Sequence, residues 1–465
     1  MKPLRLFACL ILALAVLPAH AQNPPAPRGE FPAPRGEFIA LRGAVVTPDT
    51  VIEHGTVLIS GGKIQAVGAG IPIPAGATVI EGDNVIYPGL IDLHNHLTWN
   101  FLPRWNAGRL FHTRYEWQAI PEYGIALTTP HTKIMDEGLD CQAEQYAEVK
   151  AIVGGATSVT GSLHSKCSEG LARNLDYSSG LYPPGTPEKL RYEVFPLELD
   201  EPTTAAITAA LDNHSLTAFL IHAAEGRPGD ANAERELRML RARGFLRPGV
   251  SLIHGVGLNA ADLEELARNH VGLIWSPRSE FTLYGGTADV AAAKRAGIKI
   301  ALAPDWSPSG SDGLLQELKY ASTWNDGQYP RPFTAAELVQ MATTIPAQLA
   351  GLSAKIGSIK PGYAADLLLV RRTEKDPYQS LLNASPADVR LVLIGGSPVY
   401  GDEDIMRRLA PTAGLESLTL CGSPKALDFS TETDHPTTWK QTVDQLDHAL
   451  NEWGLTPVQL TSCPN

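Results

Sequence analysis

Six residues able to bind a metal or move a proton follow short apolar runs in this chain. They are His94, His96, His222, Glu225, His254 and Asp305, and the runs lie at 87–93, 218–221, 251–253 and 298–303. Short apolar runs of this kind predict buried strands. Imidazoles and a carboxylate delivered by separate strands to one rim describe a metal site on a parallel barrel. A metal held with an open position activates water, so the chemistry implied is hydrolysis. His94 and His96 lie two residues apart, which puts both imidazoles on one side of an extended segment, as chelation requires. An isolated HxH pair is common on surfaces and in cores; its place after an apolar run sets this one apart.

The elements that must position these residues follow from periodicity. Across 90–352, strands alternate with amphipathic helical stretches, the pattern of an α/β protein with a (β/α)8 TIM-like barrel. One helix is predicted at 260–269 with Asn259 as its N-cap, and the next strand at 271–275. Another helix at 288–296 stops at Gly297, before the strand 298–303. Residues 39–89 read as short strands, with Gly61-Gly62-Lys63 as a hairpin turn. Strands at 366–370 and 389–394 sit in the other flank, so 39–89 and 353–400 are predicted to build a small composite β-sandwich domain. The polar segment 401–465 reads as an appended cap or surface extension, helical over 438–453.

The N-terminus carries Lys2 and Arg5, an apolar stretch at 6–17 and Ala19-His20-Ala21, the pattern of a signal peptide over 1–21. That stretch falls short of the roughly 20 apolar residues a bilayer span needs. Export, to the periplasm or beyond, is the expected fate of a mature chain starting near Gln22. The segment 22–38 contains PAPRGEF twice and reads as a flexible tether. Without Cys9, the cysteines 141, 167, 421 and 463 suit two disulfides in an oxidising compartment, 141–167 and 421–463 by proximity. A content of 44% hydrophobic and 19% charged residues describes a globular protein with a substantial core. The net charge of −12 argues against nucleic acid or an anionic membrane as the main partner and does not identify a substrate; hydrolysis at such a site implies a small molecule.

The string PGLIDLHNHL resembles the first barrel strand of the amidohydrolase superfamily. FLIHAAE, SLIHGVGL, SPRSEFTLYGG and ALAPDWSPSGSD resemble, in order, the fifth to eighth strand segments of its metal-dependent deaminase and chlorohydrolase branch. KIGSIKPGYAADLLLV resembles that superfamily's return to the small β-domain, and the resemblance spans about residues 40–400. It implies that His94, His96, His222 and Asp305 bind one divalent ion, Zn or Fe, a donor set suited to a borderline metal. It implies further that Asp305 accepts a proton from the activated water and that His254 polarises the substrate or orients the water. Glu225, three residues after His222, would shuttle a proton to the leaving group.

Relatives with two metals bridge them by a carboxylated Lys on the fourth strand. The segment 192–198 holds no Lys, and Lys150 and Lys166 lie earlier, which favours one ion. Glu193 or Glu198 as a bridge is the alternative. Where nucleobase deaminases often read HCPxSN, this chain reads Trp275-Ser276-Pro277-Arg278-Ser279-Glu280, and Ala303-Pro304 replaces Gly-Thr before Asp305. These departures count against a nucleobase substrate. His131, His164 and Arg173 fall in loops near the expected mouth, where Arg173 would hold an anionic substrate group bidentately and His164 is a second substrate contact. The expected function is an exported metal-dependent amidohydrolase that cleaves a non-peptide C–N bond, of deaminase or amidase type. The alternatives are a binuclear amidase or dipeptidase-like enzyme, and a non-catalytic binding protein on a barrel scaffold.

Overall fold

Gly61 and Gly62, at φ +59° and +75°, turn the chain between strands Val51–Ser60 and Lys63–Ala69. Only a residue without Cβ enters that region at no steric cost, so the pair makes the hairpin the sequence predicts. The structure is a computed structural model that describes residues 38–161, 171–176, 180–183, 186–187, 189–411, 414–429 and 438–463. The expected signal peptide 1–21 and, apart from Phe38, the tether 22–38 lie outside the described residues.

The hairpin belongs to a ten-stranded sheet built from both flanks of the chain. Its junction is the antiparallel pairing of Asn84–Pro88 with Leu367–Arg371, where Leu367 stands opposite Pro88. Hydrogen bonding runs through one unbroken path that ends in Leu415–Leu420 and Ser423–Asp428. The segment after 401 therefore supplies two strands that its polar composition did not suggest. An edge strand half in solvent needs no continuous apolar run.

Eight parallel strands carry the site residues: β1 (Leu90–Ile91), β2 (Ala156–Val159), β3 (Arg173–Asn174), β4 (Leu190–Glu193), β5 (Ala218–Ala223), β6 (Val250–His254), β7 (Gly272–Trp275) and β8 (Ile300–Leu302). β1 to β3 pair in sequence order as one sheet, and β4 to β8 as a second. Just beyond the strand ends Asn95 bridges Asp305 in parallel register, which joins the β1 and β8 sides. Among the described residues no continuous ladder closes the ring.

The run 87–93 is not one strand. Pro88 and Gly89 divide it between two sheets: Asn84–Pro88 lies in the ten-stranded sheet, while β1 pairs with β2. Gly89 is required by close approach, because a Cβ there would stand 2.2 Å from Thr157 Oγ1. Within the barrel strands, side chains alternate between two buried clusters. Leu93, Leu220, Ile253, Ile274 and Ala301 fill the interior. Phe219, Ile221, Leu252, Leu273 and Leu302 pack outward against helices.

Four helices bear on the site: α1 (Asp140–Val153), α2 (Pro277–Tyr284), α3 (Leu314–Asp326) and α4 (Trp439–Asn451). The expected helices after β6 and β7 form as Ala260–Arg268, with an Asn259/Asp262 capping box, and Val290–Ala296, ended by Gly297 at φ +90°. The tail helix α4 is not a surface appendage. Its Leu446, Ala449 and Leu450 pack into one cluster with Trp105, Trp117 and Trp306, and Thr442 donates to Gln145 of α1. Cys421 and Cys463 form a disulfide that ties the tail down. The other expected pair, Cys141 with Cys167, includes a residue outside the described ones.

Gly89→Ala should lower the unfolding free energy by about 1–3 kcal/mol, the usual cost of overpacking. Urea denaturation checks it; an unchanged midpoint and slope would mean that the sheet junction tolerates a methyl group.

Candidate active site

His94, His96, His222, His254 and Asp305 converge at the C-terminal ends of β1, β5, β6 and β8. Asp305 Oδ1 lies 3.1 Å from His94 Nε2 and 3.3 Å from His96 Nε2. His94 Nε2 is 3.1 Å from His222 Nε2. The ligating atoms of His94, His222 and His254, and those of His94, His96 and Asp305, lie within 4.8 Å of one another in each group. His94, His222, His254 and Asp305 are buried, whereas the His96 side chain keeps 20% of its surface, which marks the open side.

Backbone conformation aims two of these side chains. Period-two alternation would send His254 outward with Leu252, but φ +71° at His254 breaks the alternation. Asp305 has φ +66°, and its N–H donates to the His94 carbonyl at 3.1 Å. Left-handed backbone at non-glycine residues costs free energy and persists where the surroundings over-determine it, as they do at functional sites.

Outer partners fix the rings. His222 Nδ1 donates to the Glu193 carbonyl at 3.1 Å, so its Nε2 presents a lone pair to the centre. His94 Nδ1 meets Ser276 Oγ at 2.8 Å, and Ser279 donates to Asp305 Oδ2 at 2.6 Å. Burial holds His94 down at about 3 and His222 well below the ordinary imidazole value. Burial alone would raise the Asp305 carboxyl, but His94 and His96 hold it well below its usual range. Neutral imidazoles and an ionised carboxylate are the protonation states a divalent ion requires. The donor set fits such an ion.

Glu225 lies in this site, not in solvent. Tyr284 donates its hydroxyl hydrogen to Glu225 Oε1 at 2.6 Å, and Trp117 Nε1 donates to the Tyr284 oxygen at 2.9 Å. Glu225 Oε2 lies 3.7 Å from both His254 Nε2 and Arg114 Nη1. Burial would lower His254, but Glu225 and Glu280, the latter 3.3 Å from Nδ1, raise it to about 9. Arg114 is itself buried and bonded to Glu236 at 2.6 Å.

Other expectations change. Arg173 is not at the mouth: its guanidinium clasps Asp366 at 2.7 and 2.9 Å, bonding β3 to the residue before Leu367–Arg371. A bidentate partner within the protein takes the geometry a substrate anion would need. His164 and Lys166 lie outside the described residues. His131 is buried and stacks on Trp99 with ring centroids 3.7 Å apart. Glu193 turns its carboxylate to Arg191 at 2.5 Å, and Glu198 is exposed, so neither is engaged at the cluster. Lys150 is buried against Ser307 and Asp312, and burial pushes it down to about 8.

Sequence reasoning missed Ser276, Ser279, Glu280 and Tyr284 as supports, although all lie in the quoted SPRSEFTLYGG segment. The spacing of four between Glu280 and Tyr284 was the available signal, since it places both on one helical face. Arg114 and Trp117 gave none, because their helix, Arg114–Gln118, has five residues and no amphipathic period.

The sequence model of the Amidohydrolase family matches residues 200–399. A 5-methylthioadenosine/S-adenosylhomocysteine deaminase from Pelotomaculum thermopropionicum is 24% identical over 408 residues, covering 77% of this chain and 91% of that protein. A zinc-bound adenosine deaminase from Xanthomonas campestris superposes with a TM-score of 0.67 at 17% identity, over 91% of this chain and 99% of that one. A triazine hydrolase from Arthrobacter aurescens gives a TM-score of 0.63 at 20% identity, over 81% and 98%. These likenesses imply a TIM-barrel fold for the β1–β8 region. The family match and the deaminase relatives support the metal-dependent deaminase and chlorohydrolase-like branch of the amidohydrolases, whose members hydrolyse carbon–nitrogen bonds other than peptide bonds.

Proposed function

We propose that the chain is a mononuclear, metal-dependent deaminase that releases ammonia from the amine of a small heteroaromatic substrate. The observation that carries this reading is the meeting of the histidine–aspartate cluster with His254 and Glu225 in one buried centre. Relatives named as deaminases of adenine-bearing nucleosides support an amine leaving group on a heteroaromatic ring, while the departures at 275–280 and 303–304 count against a nucleobase itself. His94, His96, His222 and Asp305 would hold one divalent ion, Zn or Fe. When bound, that ion would supply Lewis acidity that lowers the pKa of a water at the site.

The chain's own residues do the rest. Tyr284 occupies Glu225 Oε1, which leaves Oε2 on the side of His254. Burial keeps the Tyr284 hydroxyl far above its ordinary value, so it stays a donor. As the water oxygen bonds the amine-bearing carbon, Asp305 accepts one of its protons and returns it to the ring nitrogen, while Glu225 carries the other to the amine nitrogen, so that the C–N bond breaks, ammonia leaves and the oxygen stays on the carbon. His254, held by Glu280 and facing Glu225, can donate a hydrogen bond to charge that develops on the substrate. The aromatic rings of Trp306 and Tyr192, 5.7 and 6.2 Å from His96, suit a planar substrate.

The wider assignments rest on the same reading. We propose a closed (β/α)8 barrel over 90–352, a β-sandwich from 39–89 and 353–400, and export directed by 1–21. The Cys421–Cys463 disulfide supports an oxidising destination.

Ammonia-release assays of the metal-loaded protein on 5′-methylthioadenosine, adenosine and a panel of heterocyclic amines and amides test the reaction class. Release from aromatic amines and not from amides is expected; the reverse would make the enzyme an amidase. His96→Ala and Asp305→Ala should each abolish turnover and lower bound metal, measured by atomic emission on gently purified protein. Full metal occupancy with normal rates in either variant would remove these residues from the centre. Glu225→Gln keeps shape but cannot ionise, so the rate should fall by about a hundredfold to ten-thousandfold while metal content stays at the parent level. Loss of metal in that variant would make Glu225 a ligand instead.

A further inference from the structure

A second cavity, of about 500 Å³, opens between α2, α3 and the C-terminal tail. It shares no residue with the metal-ligand cluster. Its walls include Arg278 and Phe281 of α2 and Lys319, Tyr320 and Trp324 of α3, with Ser462 on the rim. Among the described residues no Asp or Glu lines it, in a chain whose net charge is −12. Neither Arg278 nor Lys319 forms an ion pair with a carboxylate side chain among the described residues; Arg278 Nη1 meets only the Gln316 amide oxygen, at 3.3 Å. Phe281 and Tyr320 stand with ring centroids 6.3 Å apart, and all three aromatic rings are partly exposed. The volume suits a drug-sized ligand. Aromatic faces with two unpaired cations recognise a flat molecule that carries an anionic group.

The cavity is built, not a gap between loose segments. The Cys421–Cys463 disulfide fixes the rim, and Asp312 accepts from Ser462 N–H at 3.0 Å and from its hydroxyl at 2.7 Å. Gln316 reaches from α3 to Thr461 at 3.3 Å. The wall is also connected to the reaction centre. On the eight-residue helix α2, Arg278 and Phe281 face the cavity. From the same helix Ser279 bonds Asp305, Glu280 bonds His254 and Tyr284 bonds Glu225. A ligand that shifts α2 therefore acts on three residues of the centre at once.

We propose that this cavity is a second ligand site, that it takes an anionic aromatic small molecule such as an aryl carboxylate or sulfonate, and that its occupancy is linked through α2 to the metal-ligand cluster. The occupant is distinct from the substrate, and recognition rests on Arg278, Lys319 and the aromatic walls.

Titration of the full chain with 8-anilinonaphthalene-1-sulfonate, read by fluorescence, tests the site without requiring turnover. One saturable site per chain is expected. Affinity should fall at least tenfold in Arg278→Gln/Lys319→Gln, and at least tenfold for the uncharged N-phenyl-1-naphthylamine. Lys319→Gln alone, an exposed change, should still weaken binding at least threefold, which covers failure of the double variant to fold. Because linkage is reciprocal, metal-loaded and metal-stripped protein should differ at least threefold in affinity for the probe. Binding unaffected by these variants would overturn the site, and equal affinity with and without metal would overturn the coupling. A dimer in sedimentation that the double variant dissociates would assign the cavity to a second copy of the chain and sink the small-molecule proposal.

Discussion

The hydrogen bond from the Asp305 amide to the His94 carbonyl, 3.1 Å long, is the contact on which the centre depends. It joins the first and last strands of the β1–β8 series just beyond their ends, where pairing of the strands themselves is absent among the described residues. Asn95 and Asp305 bridge at the same level, so backbone geometry brings the Asp305 carboxylate to the imidazoles of His94 and His96. A side-chain contact alone could not do this, because a buried carboxylate without fixed partners carries a large desolvation cost. Gly161 belongs to the same constraint. Its hypothetical Cβ would stand 1.8 Å from the Asn95 carbonyl oxygen, so the residue packing under the HxH segment must be glycine.

Burial then sets the chemistry. The same exclusion of water that holds His94 and His222 down pushes a carboxyl up, as at Asp92, which reaches about 8 although the His94 amide and the Asn95 side chain donate to it. Asp305 escapes because two imidazoles and the Ser279 hydroxyl face its oxygens. His254 goes the other way, since Glu225 and Glu280 flank it. Imidazoles of one residue type are therefore pushed in opposite directions within one centre, His94 and His222 toward a donor set and His254 toward a hydrogen-bond donor.

What was legible in the sequence follows from what is local. The strand-end positions of His94, His222, His254 and Asp305 were readable because each follows an apolar run, and the Gly61-Gly62 hairpin and the Asn259 cap are decided by adjacent residues. The break at Pro88-Gly89 was hidden, since two short strands of different sheets make one apolar run. Arg173 misled because a loop arginine and one end of a buried ion pair look alike until Asp366, 193 residues away, is placed beside it. The tail was unreadable for a related reason. Its strand Leu415–Leu420 lies at the sheet edge, and its helix buries three residues against tryptophans drawn from distant segments.

The helix α2 shows why such supports escape pattern reading. Its eight residues satisfy three demands: Ser279 on the Asp305 carboxylate, Glu280 on His254, and Tyr284 on Glu225. Glu280 also accepts from the Ser276 amide at 3.2 Å and from Thr287 and Ala288 beyond the helix, so its carboxylate is spent holding the turn that bears it. Each of these is a charged or polar group that, alone, reads as a solvated side chain. Together they replace the water that the barrel mouth excludes, and a buried polar network of this kind is stable only when every member is paired. That requirement explains why the segment departs from a simple apolar helix: its outward face meets solvent and the tail, while its inward face must supply the hydrogen bonds that the site residues cannot find in water.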